Sequence, residues 1–98
     1  MSYKLEFHEK ALKEFRSLDA AVRARLKRKL AERLENPRVD ADRLSGQPDR
    51  YKIKLKTPGL RLVYQVVDDV VTVFVLAVDK RERSTVYKKA SSRTYERD

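Results

Sequence analysis

The 98-residue chain contains no cysteine, no tryptophan, one histidine and two glycines. Without cysteine, neither a disulfide framework nor a thiolate metal site can form, and the redox compartment cannot be read from pairing. The single histidine, His8, excludes a ribonuclease built on a pair of histidines, and no Ser-His-Asp arrangement is supported. No carboxylate cluster has metal-ligand spacing, so neither a metal site nor any other cofactor is expected. His8 falls at a strand-helix junction, where capping or surface exposure is the expected role. With glycine only at Gly46 and Gly59, there is no glycine-rich phosphate loop. No stretch approaches the roughly 20 apolar residues of a membrane span, and the first ten residues hold no apolar run of signal-peptide length. The expectation is a cytoplasmic protein with no membrane partner.

Positive charge is what the chain has in excess. Its 24 Lys and Arg outnumber 15 Asp and Glu, giving a formal charge of +9 and a pI near 10. Such a balance favours a polyanion such as nucleic acid, or an acidic protein that masks the charge. The length supports one domain over 1–98 with one modest core.

Tyr3, Leu5 and Phe7 alternate with Lys4 and Glu6, predicting a short strand with one buried face. Ala11, Leu12, Phe15 and Leu18 recur at helical spacing and predict a first helix of about three turns. A second helix is expected from Asp19, a good N-cap, to Asn36, because Pro37 disfavours helical geometry at the residue before it. Its buried stripe is Val22, Leu26, Leu30 and Leu34, and six Lys and Arg cover the rest as a solvated face. Residues 36–50 read as an ordered connection before three strands.

The most informative stretch is Tyr51 to Arg61. Lys52, Lys54 and Lys56 alternate with Tyr51, Ile53 and Leu55, so a strand would carry one cationic row and one core row. Lysines two apart on a strand lie roughly 6.5 to 7 Å from each other, about the repeat of an extended nucleic-acid backbone. Pairing residues whose numbers sum to 117 sets Leu55 beside Leu62, Ile53 beside Tyr64, and Arg61 opposite Lys56 on the lysine face. Val67-Asp68-Asp69-Val70 predicts a tight turn, with Asp taking any left-handed position. The last strand, Val70 to Val78, is apolar on both sides, which predicts a central place in the sheet. The helices can cover one of its faces; the C-terminal segment, a partner, or both must cover the other. Ser84 would cap a short helix through Val86, Tyr87 and Ala90, and the polar tail from about Ser91 is expected to fray.

The chemistry left to such a chain is that of Lys, Arg and Tyr. RNA supplies its own nucleophile, the 2'-hydroxyl, and its cleavage needs neither metal nor covalent intermediate. A protein must align the 2'-oxygen, take its proton, stabilise charge on the phosphate and protonate the leaving 5'-oxygen. An unperturbed tyrosine or lysine has a pKa near 10, and a dense cationic cluster favours tyrosinate and neutral lysine. Binding of phosphates without chemistry fits the same residues.

Taken together, Ala11-Leu12-Lys13-Glu14, Tyr51-Lys52-Ile53-Lys54-Leu55, Arg61-Leu62-Val63-Tyr64-Gln65-Val66 and Lys80-Arg81-Glu82-Arg83-Ser84 through Val86-Tyr87 resemble the RelE toxins of bacterial and archaeal toxin-antitoxin modules, within the RelE/ParE superfamily. The resemblance runs from Tyr3 to about Ala90. It implies a small α+β domain, an antiparallel sheet on an N-terminal helical hairpin with a short C-terminal helix. It also implies ribosome-dependent cleavage of mRNA at the codon in the A site of the small subunit, leaving a 2',3'-cyclic phosphate or a 3'-phosphate. The implied catalytic set is Lys52, Lys54, Arg61, Arg81 and Tyr87. Within it Tyr87 is the first choice for the base and Lys54 or Lys52 the competitor, while Arg61 and Lys52 hold the scissile phosphate and Arg81 or a lysine assists the leaving oxygen. Arg43, Arg50, Lys56, Lys80 and Arg83 are expected to contact substrate and rRNA. Close relatives carry an arginine just before the glycine matching Gly46; here Ser45 stands there, and that contact is not carried over. The implied partner is an acidic RelB-like antitoxin. A ParE-like toxin directed at gyrase is the alternative on the same scaffold.

Overall fold

The computed structural model describes residues 2–80, 85–93 and 95, and in them the chain passes through β1 (Lys4–Phe7), α1 (Glu9–Arg16), α2 (Ala20–Glu35), β2 (Arg43–Leu44), β3 (Gln47–Leu55), β4 (Leu60–Val67), β5 (Thr72–Lys80) and α3 (Thr85–Ser91). The fold is α+β, as expected. His8 caps α1, its Nδ1 accepting from the Lys10 amide at 3.1 Å. That helix is eight residues long rather than three turns. It stops at Ser17, whose hydroxyl donates to the Glu14 carbonyl at 2.7 Å and competes with the helical ladder. Arg23 of α2 then closes the end, donating to the Arg16 and Leu18 carbonyls at 3.0 and 2.6 Å. α2 follows its expected limits, with Asp19 at the N-cap and Asn36 at the C-cap, although the Asp19 side chain makes no capping bond.

The strand order is β1-β5-β4-β3-β2. Pairing is antiparallel from β5 through β2, while β1 joins β5 in parallel, so the sheet is mixed. The parallel contact is possible because the helical hairpin, not a tight turn, separates β1 from the remaining strands. β2 and the first residues of β3 turn the connection into a small hairpin. β5 lies between β1 and β4, and both its faces are buried, as its composition requires. Val73, Val75 and Val78 enter the core under α1 and α2 with Leu26, Leu30 and the stacked pair Tyr51 and Tyr64. Phe74, Leu76 and Ala77 meet Val86 and Ala90 of α3 on the other side. The C-terminal segment therefore covers the second face. Its tail is also held beyond residue 91: Arg93 is buried, and Tyr95 meets Phe74 edge-on at 4.9 Å. Ser84, the expected cap, lies outside the described residues.

Two turns differ from the expectation. In the β3–β4 hairpin the paired numbers sum to 115, not 117, so Lys54 pairs with Arg61, Ile53 with Leu62 and Tyr51 with Tyr64. A four-residue turn, Lys56 to Gly59, closes the hairpin, with Gly59 at φ 100° where an L side chain is disfavoured. Because the slip is two residues, each side chain keeps its face; only its neighbour changes. At the β4–β5 connection, Asp68–Val70 form a 3-10 turn and the left-handed residue is Val71, at φ 49°, rather than an aspartate. Its backbone is held from both sides: the Val71 amide donates to the Asp68 carbonyl at 3.0 Å, and the Lys4 amide donates to the Val71 carbonyl at 2.8 Å. A β-branched side chain is strained there and is 37% exposed, so it contributes little packing. Val71→Asn is expected to stabilise the fold by about 1 kcal/mol, read as a rise of about 4 to 8 °C in thermal midpoint. An unchanged or lowered midpoint would show that the backbone is not strained at this position.

Candidate ribonuclease site

β3 and β4 build one wall of the site. Alternation along β3 brings Arg50, Lys52 and Lys54 to the face covered by α3, and the observed register sets Arg61 of β4 opposite Lys54 and Val63 opposite Lys52. Lys54 is exposed; Lys52 and Arg61 are half-buried. α3 supplies the other wall. Val86 and Ala90 are buried on the sheet, which leaves the intervening Tyr87 half-buried over β4. There the Arg61 guanidinium donates from Nη1 to the Tyr87 hydroxyl at 3.0 Å and lies 5.5 Å from the ring centroid. Because that oxygen accepts from Arg61, the Tyr87 hydroxyl proton is free to point elsewhere. A cationic strand row thus meets a phenol carried by a separate helix, a combination suited to a phosphodiester and the hydroxyl beside it.

The other expected residues disperse. Arg50 is occupied structurally: its guanidinium donates to the Gln47 side chain at 3.3 Å, the Ala90 carbonyl at 2.9 Å and the Arg93 carbonyl at 3.1 Å, closing the C-terminal end of α3. Burial pulls its pKa below the ordinary arginine value. Arg43 is exposed and pairs with Asp40 at 2.8 Å. Lys56 sits in the β3–β4 turn and lines an open depression of about 910 Å³ with Gly59, Glu14, Asp79 and Lys89. The backbone of Lys80 ends β5 in register with Leu60. Arg81 and Arg83 lie outside the described residues.

Three polar groups near the site were not evident from sequence. Asp79 is the strand partner of Arg61 on β5, so the cationic face includes a carboxylate; Lys89 bonds it at 2.8 Å. Glu14 of α1 accepts from the Val78 amide at 3.0 Å and from Arg93 at 2.9 and 3.0 Å, with Lys89 at 3.2 Å. Burial pushes the Glu14 carboxyl up, but hydrogen bonds from Arg93, the Val78 amide and Lys89 outweigh it and hold the group below the ordinary carboxylate value. On α2, Arg33 donates to the Lys52 carbonyl at 3.2 Å, to the Tyr64 hydroxyl at 2.9 Å and to Asp42 at 2.5 Å, and so fixes the backbone of a site lysine. Two of these had a sequence signal. Glu14 is three residues from buried Ala11, and Arg33 is three from Leu30 and seven from Leu26, which places both on buried stripes.

Comparison with known proteins places the chain in one family. Residues 5–85 match a family model described as the ParE toxin of type II toxin-antitoxin systems, parDE. The mRNA interferase toxin RelE of Escherichia coli strain K12 is 58% identical over 93 residues, spanning 95% of this chain and 98% of that protein. The free-state structure of a double arginine-to-alanine variant of E. coli RelE superposes with a TM-score of 0.88 at 55% identity, covering 94% of this chain and 97% of that one. The toxin of the intact E. coli RelBE toxin-antitoxin complex superposes with a TM-score of 0.79 at 57% identity, covering 84% and 100%.

Proposed function

Since the chain belongs to the RelE/ParE family of toxin-antitoxin toxins, we propose that it is the toxin of such a module and an endoribonuclease that cleaves mRNA on the ribosome. One observation carries this reading: Arg61, paired in register with Lys54, holds the Tyr87 hydroxyl at 3.0 Å over the cationic face. The RNA backbone lies along Lys52 and Lys54, with the scissile phosphate at Arg61. Tyr87 takes the proton of the 2'-hydroxyl as that oxygen attacks phosphorus. The bond to the 5'-oxygen breaks, a 2',3'-cyclic phosphate forms, and Arg81 or a lysine assists the departing oxygen, which takes up a proton from a lysine ammonium or from water. The ribosome supplies what this open face lacks, a fixed in-line geometry for the substrate. Arg43, Lys56, Lys80 and Arg83 add contacts to rRNA or mRNA.

The work takes place in the cytoplasm, where the substrate is; among the described residues no helix is long and apolar enough to cross a membrane. An acidic RelB-like antitoxin neutralises the basic face and displaces or blocks α3. That helix has seven residues, too few to persist without its docking contacts, so the site is open to such control.

Translating ribosomes incubated with the protein are expected to yield new mRNA ends at the decoding site. The triple variant Lys54→Ala, Arg81→Ala, Tyr87→Ala should yield none. Equal cleavage by that variant, or intact message with the parent, contradicts the proposal. Inhibition of DNA supercoiling at concentrations that leave translation intact would instead support the gyrase-directed reading that the name of the family model raises.

A further inference from the structure

β5 outruns its neighbour. β1 ends at Phe7, paired with Val75, whereas β5 continues to Lys80. Among the described residues no strand bonds the outer edge of β5 beyond Val75, and an unfilled buried amide or carbonyl is costly. Two side chains take the place of a strand. The Arg93 guanidinium donates to the Leu76 carbonyl at 2.9 Å, and Glu14 accepts from the Val78 amide at 3.0 Å. The two are also joined to each other by paired bonds of 2.9 and 3.0 Å, with Arg93 buried. One pair thereby ties α1, the free edge of β5 and the chain just past α3.

We infer that Glu14 and Arg93 are positioning residues for the cleavage reaction: they set where α3 stops along the sheet, and so where the Tyr87 hydroxyl stands against Arg61. The apolar contacts of Val86 and Ala90 hold α3 to the sheet without direction, since burial is indifferent to a small slide. Hydrogen bonds are directional, and those of Arg93 engage both terminal nitrogens, Nη1 and Nη2, at fixed partners. The network continues toward the site. Lys89, two residues after Tyr87, bridges Glu14 and Asp79, and Asp79 is the strand partner of Arg61. Arg50 holds the same end from β3 through the Ala90 and Arg93 carbonyls; loss of Glu14 or Arg93 removes the tie to the edge of β5 while leaving Tyr87, Arg61 and the lysines in the chain.

This inference rests on the ribonuclease reading above, and two readouts keep their failures distinguishable. The first is the NMR resonance of the Tyr87 ring carbon bearing the hydroxyl, identified by its disappearance in Tyr87→Phe. Glu14→Gln and Arg93→Ala should each shift it. Val66→Ala, a core truncation under the helical hairpin that also lowers the thermal midpoint, should not. The second readout is single-turnover mRNA cleavage on ribosomes. Glu14→Gln and Arg93→Ala should each lower the rate at saturating ribosomes by about tenfold to a hundredfold, with the half-saturating concentration unchanged. The double variant should be no slower than the worse single, and Arg93→Lys should recover part of the rate. A Tyr87 resonance unmoved in both variants, or a rate loss no greater than that of Val66→Ala, overturns the inference. If the parent leaves mRNA intact, the ribonuclease reading fails and the resonance alone decides the pair's role in placing Tyr87.

Discussion

Tyr87→Phe is expected to slow ribosome-dependent mRNA cleavage by about two to four orders of magnitude, the range a positioned general base supplies. Phenylalanine keeps the ring beneath the Arg61 guanidinium and the helix in which it sits, and removes one oxygen. The oxygen lost is the acceptor for Arg61 at 3.0 Å, so the fold should change by no more than about 1 kcal/mol. Single-turnover appearance of 2',3'-cyclic ends, read beside thermal unfolding, separates the two effects. A parental rate would move the base role to Lys54 or Lys52. A large loss of stability would make the tyrosine a packing residue and leave the rate uninterpretable as chemistry.

Arg33→Ala should produce the largest change in stability, about 3 kcal/mol, seen as a thermal midpoint lower by roughly 10 to 20 °C. The Arg33 side chain is 16% exposed and its guanidinium serves three acceptors that come from different parts of the chain: the Lys52 carbonyl of β3, the Tyr64 hydroxyl of β4 and Asp42 of the connection before β2. Removing it leaves a half-buried carboxylate without its cation and a strand carbonyl without its donor. Tyr64 retains the bond from its hydroxyl to the Pro37 carbonyl at 2.7 Å, which limits the damage at that residue. Tyr64→Phe should therefore cost less in the Arg33→Ala background than in the parent, because the two share one bond. A midpoint change as small as that of an exposed arginine would remove Arg33 from the set of structural anchors.

The elements of the fold were legible because periodicity reports burial directly. The Val22, Leu26, Leu30 and Leu34 stripe placed α2, and Pro37 marked its end. The double apolar character of β5 placed it in the sheet interior. The hairpin register was two residues off for an equally physical reason: hydrophobic matching separates odd from even shifts but not 115 from 117, and the turn geometry chooses between them. Val71 was illegible as the left-handed residue because neighbouring backbone bonds, not its own preference, hold it there.

For the site, alternation alone determined a cationic strand row, Lys52 and Lys54, backed by a core row. Those are local properties, since a strand must send alternate side chains to opposite faces. Tertiary structure decided which cations meet the phenol and which do not. Arg61 reaches Tyr87 across 26 residues of chain, and Arg50, similar in sequence, closes the end of α3 instead. It also decided that Glu14 of α1 and Arg93, 79 residues apart, close the free edge of β5. Pairings of that kind depend on where backbone groups are left unfilled after the sheet has formed. No local pattern carries that information, because the unfilled edge exists only once β1 has stopped short of β5.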